Sequence, residues 1–297
     1  MGALRSFVKL LSGLGLLFLL LGYLGQWLAL GDSFAVGRLQ VSFVLLALSA
    51  LLFAMHSRVL AFVLVAASLG AGGTVLWGFV QPQKSQAGTY QLYQKNLLGR
   101  AWPRYSLANE IVGLNPDFVT LQEVSDHNLR FMRKMFEFFP SQISCDFLAN
   151  KSVAVLSRHP VVPGTAQCDD RDGLALMQVE VPDQGRVWLA SVHLLWPFPY
   201  DQAQQVGKIT ERLKNLTGPV LLGGDFNMVP WGSSVSSIAQ SARMKRVGPY
   251  RVTYPKYMPV FPFPIDHILL PAGANATIDV RPLLGSDHLG LLARFDL

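Results

Sequence analysis

Charge is scarce in this 297-residue chain: Asp, Glu, Lys and Arg make up 15% of it, against 51% hydrophobic residues. Soluble domains carry about 25% charged residues, so a chain this apolar is not one soluble domain throughout. Cysteine is scarcer still. The two present, Cys145 and Cys168, exclude a disulfide-dense scaffold and leave too few thiolates for a four-cysteine zinc site. Internal repeats and low-complexity tracts are missing outside the apolar segments, which excludes solenoids and compositionally biased tails.

The missing charge is concentrated at the start. Leu10–Leu30, Leu39–Met55 and Val59–Val80 are uncharged runs of 21, 17 and 22 residues. A bilayer-crossing helix takes about 20 apolar residues, with a range of about 17–25, so three transmembrane helices are expected at 10–30, 39–55 and 59–80. Arg5 and Lys9 precede the first, His56 and Arg58 occupy the second connection, and the first connection holds Asp32 offset by Arg38. Basic residues stay on the cytoplasmic side, which places everything after Val80 outside the cytoplasmic membrane. A cleaved signal peptide is the alternative for the first run, and the domain is exported in that case too; it becomes cytoplasmic if the 17-residue run does not cross. The division expected is a membrane anchor over 1–83, a polar linker over 84–88 and one domain over 89–297.

From Gln81 onward there are 21 basic against 18 acidic residues. That mild excess suits an anionic substrate without demanding a nucleic-acid groove. The two cysteines both fall in this exported part, where an even pair is a candidate disulfide, the alternative being two unrelated buried thiols.

Apolar strand patterns dominate after residue 89, with helices expected over "PRYSLANEIVGL", from Asn128 to Phe138 and from Tyr200 to Leu216. Many strands with few separated helices predict an α+β fold, sheets packed face to face with helices outside. Six of the apolar segments close on polar residues: Asn96, Glu123, His193, Asp225 with Asn227, Asp266, and Asp287 with His288. The run "VLLGGDFNMVPW" shows the pattern best, a buried strand delivering Asp225 and Asn227 at its end with Phe226 turned to the core.

The motifs "LQEV", "GGDFNMVP", "IDHIL" and "SDH", in that order, resemble the endonuclease/exonuclease/phosphatase superfamily, the fold shared by DNase I, AP endonucleases, inositol-polyphosphate 5-phosphatases and bacterial sphingomyelinases. "SVAVLSRHP" and "ASVHLLWP" resemble its linking strands. The likeness covers essentially all of 89–297 and is nearest to a membrane-anchored, YafD-like bacterial subgroup. It implies a four-layer α/β/β/α sandwich and a metal-dependent phosphoesterase at the bacterial inner membrane.

Phosphoester hydrolysis needs charge neutralised on the phosphoryl oxygens, a water aligned with the leaving oxygen, and one proton moved. Carboxylate oxygens suit Mg²⁺, with Mn²⁺ as a substitute. Glu123 is the expected metal ligand, with Asp287 and Asn96 completing or supporting the site. His288 is expected as general base or transition-state partner, and the resemblance implies Asp266 as the carboxylate that orients it. His193 would contact the scissile phosphate or protonate the leaving group, Asp225 would hold the attacking water and Asn227 a phosphoryl oxygen. Asp117 reads as a helix-to-strand turn residue, and His127, His159 and His267 as structural or solvated; Arg158 reads as a support acting through a neighbouring carboxylate.

Two loops are unusually aromatic, "LLWPFPY" and "TYPKYMPVFPFP", and offer Trp196 and Tyr254 as substrate contacts. Such loops stack on bases, sit at a bilayer's headgroup level, or pack on one another as a lid. The residue before "IDHIL" is Pro264 where the family commonly has Arg, and "SDHLG" lacks the Pro that often follows; both departures fall where substrates are chosen. The expected function is a membrane-anchored, nuclease-like phosphodiesterase. Alternatives are a phospholipid or sphingomyelin headgroup phosphodiesterase or phosphatase, and a non-catalytic binding module. Partners follow: a phosphoester of nucleic acid or phospholipid, and the bilayer.

Overall fold

A computed structural model of the chain describes residues 2–83, 88–100, 105–149, 151–168 and 172–297. The expected linker therefore lies outside the described residues, Gly88 excepted.

The anchor is made of α1 (Gly2–Leu21), α2 (Ala29–Val36), α3 (Arg38–Ala54) and α4 (Arg58–Val80). α1 and α4 are each long and apolar enough to cross a membrane, and α2 with α3 forms a pair bent by 62°. The apolar run 10–30 is thus not one helix: it begins earlier, at Gly2, and breaks after Leu21. Glycine makes the break. A Cβ on Gly31 would lie 2.5 Å from the Gly25 nitrogen, so the turn closes only because that side chain is missing. Arg38 fixes it from the other side, donating to the Gly22 carbonyl at 2.7 Å with its guanidinium 4.0 Å from the Tyr23 ring centroid. An uncharged run does not reveal such a turn, because turn and span are equally apolar here.

The domain is built on two six-stranded sheets. Spatially, the first runs β11 (Asn275–Arg281), β12 (Gly290–Asp296), β1 (Tyr90–Asn96), β2 (Phe118–Val124), β4 (Lys151–Ser157) and β3 (Ser141–Leu148). The second runs β5 (Gln167–Cys168), β6 (Leu174–Val181), β7 (Gly185–His193), β8 (Val220–Asp225), β10 (Asp266–Pro271) and β9 (Met244–Arg246). Leu92, Phe118 and Val155 of the first meet Met177, Leu189, Leu221 and Ile268 of the second in a buried core. α5 (Tyr105–Leu114) and α6 (Asp126–Glu137) cover the outer face of the first sheet through Leu107, Ile111, Met132 and Met135. α7 (Gln202–Lys214) and α8 (Ser233–Ser241) cover the second through Val206, Ile209, Val235 and Ile238. The result is the four-layer α/β/β/α sandwich that the sequence pattern predicts. A disulfide between Cys145 and Cys168 joins β3 to β5, the edge strands of the two sheets.

Candidate active site

Parallel pairing brings the polar strand ends to one level. β1 and β2 are parallel, with Asn96 opposite Gln122 and so one residue from Glu123; β7 and β8 are parallel, with His193 opposite Asp225. β10 runs antiparallel to β8 and begins with Asp266 opposite that same Asp225. The two glycines of "LLGGD" permit this convergence. A Cβ on Gly223 would stand 2.2 Å from Thr120 Oγ1 of the facing sheet, so the sheets touch here only over glycine.

Inside the convergence, His288 Nδ1 lies 2.8 Å from Asp266 Oδ2, and its Nε2 lies 3.8 Å from Asp225 Oδ2. Asp266 is held in turn by Gln94, which donates to Oδ1 at 3.0 Å, and by the Thr253 loop, whose hydroxyl accepts from the Asp266 amide. Asp225 Oδ2 accepts from Asn96 Nδ2 at 2.8 Å and stands 3.5 Å from His193 Nε2. Its Oδ1 accepts from the Asn227 amide at 2.9 Å, and the Asn227 side chain donates to Leu194 O.

Asp225, Asp266, His193 and His288 are all buried, and burial sets their protonation. It pushes the Asp225 carboxyl up to about 7, which the nearby His288 only partly offsets. It pushes the His193 imidazole down to about 4, with the Glu123 carboxylate pulling weakly the other way. Burial would lower His288 too, but the Asp266 and Asp225 carboxylates outweigh it and raise the imidazole to about 9. His193 Nδ1 is buried without a hydrogen-bond partner among the described residues. Such an atom costs stability unless something else meets it.

A cleft of roughly 480 Å³ opens on this set. Glu123, Lys151, His193, Asp225, Asn227, Asp287 and His288 supply its polar wall, and Trp196, Tyr200 and Tyr254 its aromatic one. The Tyr254 ring centroid lies 5.0 Å from that of His288. Eight of the expected catalytic, metal and substrate residues therefore line one cleft. Asn96 stands behind it, its side chain committed to Asp225 and to the Leu98 amide, which donates to Oδ1 at 2.9 Å. Asp266 likewise stands behind His288.

Two local expectations are corrected. β8 stops at Asp225, and Asn227 has φ +45°, so the two polar residues reach one cleft through a left-handed turn, not by strand alternation. Arg158 is not near the cleft: it donates to Asp117 Oδ1 at 2.7 Å, at the other end of β2. Phe226 does face the core.

Sequence reading missed Lys151, whose Nζ is 2.7 Å from Glu123 Oε2. A lone Lys in a hairpin carries no motif, and only the antiparallel pairing of β4 with β2 brings it there. The same oxygen accepts from the Gly99 amide at 2.9 Å. Lys151 and that amide outweigh burial and hold the Glu123 carboxyl below its ordinary value. Glu123 itself has φ +54°, a conformation costing a non-glycine residue about 1–3 kcal/mol.

Asp225, Asp266 and His288 offer ligand atoms within 4.8 Å of one another, a spacing that can hold a metal ion. The His288–Asp266 hydrogen bond, with Asp225 Oδ2 3.8 Å from the other ring nitrogen, makes them a proton-handling set as well. Glu123 and Asp287 are further carboxylates of the same cleft. An all-oxygen pair, one member holding a Lys ammonium against it, fits a hard divalent cation better than zinc.

Residues 94–288 match a family model described as the Endonuclease/Exonuclease/phosphatase family. Similar solved structures include the endonuclease/exonuclease/phosphatase from Bacteroides vulgatus, 17% identical over 70% of this chain and 98% of that one with a TM-score of 0.57. D. rerio TDP2, complexed with single strand DNA product, is 17% identical over 70% and 99% with a TM-score of 0.56. The human Nocturnin catalytic domain is 19% identical over 69% and 93%, with a TM-score of 0.55. No curated protein matches the chain in sequence.

Proposed function

The chain belongs to the endonuclease/exonuclease/phosphatase family, whose members are phosphoesterase hydrolases, and from that premise we propose a membrane-anchored, Mg²⁺-assisted phosphodiesterase that attacks with water in line. The observation carrying this reading is the His288–Asp266 pair set against Asp225 at the floor of one cleft.

With Nδ1 committed to Asp266, His288 presents Nε2 to the cleft. Two carboxylates keep the imidazole cationic at neutral pH, so His288 serves as transition-state partner, neutralising charge on a phosphoryl oxygen. Asp225, held near 7, is matched to taking the proton of the attacking water. Asn227 retains a second amide N–H for a phosphoryl oxygen. His193, kept neutral by burial, carries one N–H to offer the phosphate or the leaving oxygen. Glu123 and Asp287 would hold Mg²⁺, with Asn96 supporting from behind; Mn²⁺ would serve in its place. When bound, the ion neutralises charge on the phosphoryl group.

α1, α3 and α4 would anchor the enzyme in the bacterial inner membrane, and the basic residues near Arg5 and Arg58 support an extracytoplasmic position for the domain. The Cys145–Cys168 disulfide supports an oxidising compartment. A nucleic-acid substrate is supported by the DNA product that D. rerio TDP2 carries. A lipid headgroup substrate is supported by the aromatic cleft wall lying beside the anchor.

Nicking of supercoiled plasmid and release of nitrophenol from bis(p-nitrophenyl) phosphate test the chemistry, using full-length chain in detergent with Mg²⁺. His288→Ala should lose about 100- to 10,000-fold in turnover, and chelation should stop both reactions. Undiminished turnover in that variant would overturn the mechanism.

A further inference from the structure

The loop from Leu194 to Tyr200 and the loop from Arg251 to Pro264 frame the mouth of the cleft, and both are hydrogen-bonded to the anchor. Ser33 Oγ of α2 donates to Phe198 O at 2.7 Å, and Gln40 Nε2 of α3 donates to Val260 O at 3.2 Å. Gln40 is the third residue of α3, about 3 Å along the axis from its start. A helix of 17 residues is about 26 Å long, a little short of a hydrocarbon core of about 30 Å. With α3 crossing the membrane, Gln40 falls within about 5 Å of the hydrocarbon boundary, and Val260, bonded to it, falls near the same level.

The end of α4 gives the same level independently. The Gly78 carbonyl accepts from the Tyr250 amide at 2.7 Å, and the Phe79 ring packs on Trp231 and Tyr250. α3 starts and α4 finishes on this one side, so the domain sits directly against the membrane surface with these loops at its lower edge.

The side chains they present there are apolar and uncovered. Phe198 is 53% exposed, Met258 48% and Val260 65%, while Tyr257, Phe261 and Phe263 pack partly on one another. A contiguous apolar rim marks an interaction surface. Lys256, exposed among them, adds the positive charge that lipid phosphates attract.

Resting on the phosphodiesterase reading and on α1, α3 and α4 as spans, we propose that these two loops insert into the headgroup layer. The cleft then opens on the membrane surface and takes the phosphoester of a lipid headgroup. Trp196, Tyr200 and Tyr254 line the mouth that such a headgroup enters.

Full-length chain in vesicles of phosphatidylethanolamine and phosphatidylglycerol tests both halves. Nitroxide labels on Phe198→Cys and Val260→Cys should collide with oxygen in preference to a water-soluble nickel complex. A label on Gln184→Cys, at the opposite end of β7 from His193, should show the reverse. Nickel access equal at all three positions overturns the docking. The double variant Phe198→Ser with Val260→Ser should hydrolyse bis(p-nitrophenyl) phosphate at the unchanged rate and vesicle phospholipid about 10-fold more slowly or worse. Docked labels with cleavage of plasmid but not of vesicle lipid overturn the lipid substrate and leave the phosphodiesterase reading standing. A chain inactive on soluble ester, plasmid and vesicles alike overturns both.

Discussion

Asp117 and Glu123 stand at opposite ends of β2, and their surroundings differ in kind. Asp117 is saturated: the Gln91 amide donates to Oδ2, Arg158 donates to Oδ1, and His159 Nε2 lies 3.4 Å away. Arg158 is tied down again by the Pro116 carbonyl. At the other end three carboxylates and two histidines converge, and Lys151 is the one Lys or Arg of the cleft wall among the described residues. Left-handed backbones occur at both ends, Glu123 and Asn227 here and Asn115 there, and each end keeps a buried histidine nitrogen without a hydrogen-bond partner among the described residues, His193 Nδ1 here and His159 Nε2 there. The residue types are alike at both ends. Charge balance separates them: a carboxylate matched by its own guanidinium stabilises the fold, while carboxylates in excess of cations are poised to meet a ligand.

That contrast breaks if the two clusters respond alike to substitution. Asp266→Asn should give the largest effect, about 100-fold in kcat, because the amide no longer holds His288 cationic. Thermal unfolding should move little, since the Asn fills the same space between Gln94 and Thr253. An activity loss matched by an equally large drop in Tm would make Asp266 a structural residue like Asp117. Arg158→Ala should do the opposite, lowering stability by about 1–2 kcal/mol by stripping Asp117 of its cation, with kcat unchanged. A kcat defect in a folded Arg158→Ala variant would reconnect the two ends of β2 and restore the supporting role that its sequence context suggests.

Legibility in the sequence follows the same line. The strand ends were readable because an apolar run that stops on Glu123, His193 or Asp225 exposes both its mount and its cargo. The sandwich followed from the number and spacing of those runs. What chain-distant partners decide was not readable. Gln94 lies mid-strand in β1 and looks like an ordinary alternating polar residue, yet it bridges Gln122 and Asp266 across the two sheets. Lys151 reaches Glu123 only through hairpin register. α8 escaped notice because "SSVSSIAQS" is half serine, a poor helix former in its interior. Its first turn is held instead by Asp32 of the anchor, which accepts from the amides and hydroxyls of Ser233 and Ser234. Such a cap, 201 residues away in sequence, leaves no local trace.

The smallest test sharpens the comparison through two buried histidines. His288 faces carboxylates and is raised; His267, on β10 beside Asp266, packs against Phe226 and bonds Met228 O at 2.8 Å. Burial first, then the Arg246 guanidinium, push the His267 imidazole down from 6.5 to about 3. Between those two values the unfolded chain binds a proton that the folded chain refuses. Stability from the neutral ring is therefore complete above pH 6.5 and is lost as pH falls toward 3, by at most about 1.4 kcal/mol per pH unit. His267→Gln keeps a donor for Met228 O without the titrating ring, so contributions from His193, Asp225 and His288 cancel between the two proteins. Measured in detergent from pH 7 to pH 4, the Tm of the parent should fall relative to the variant by a few degrees. A constant difference across that range would mean that His267 is protonated inside the fold, in which case a carboxylate reaches it and the distinction between the two histidines disappears.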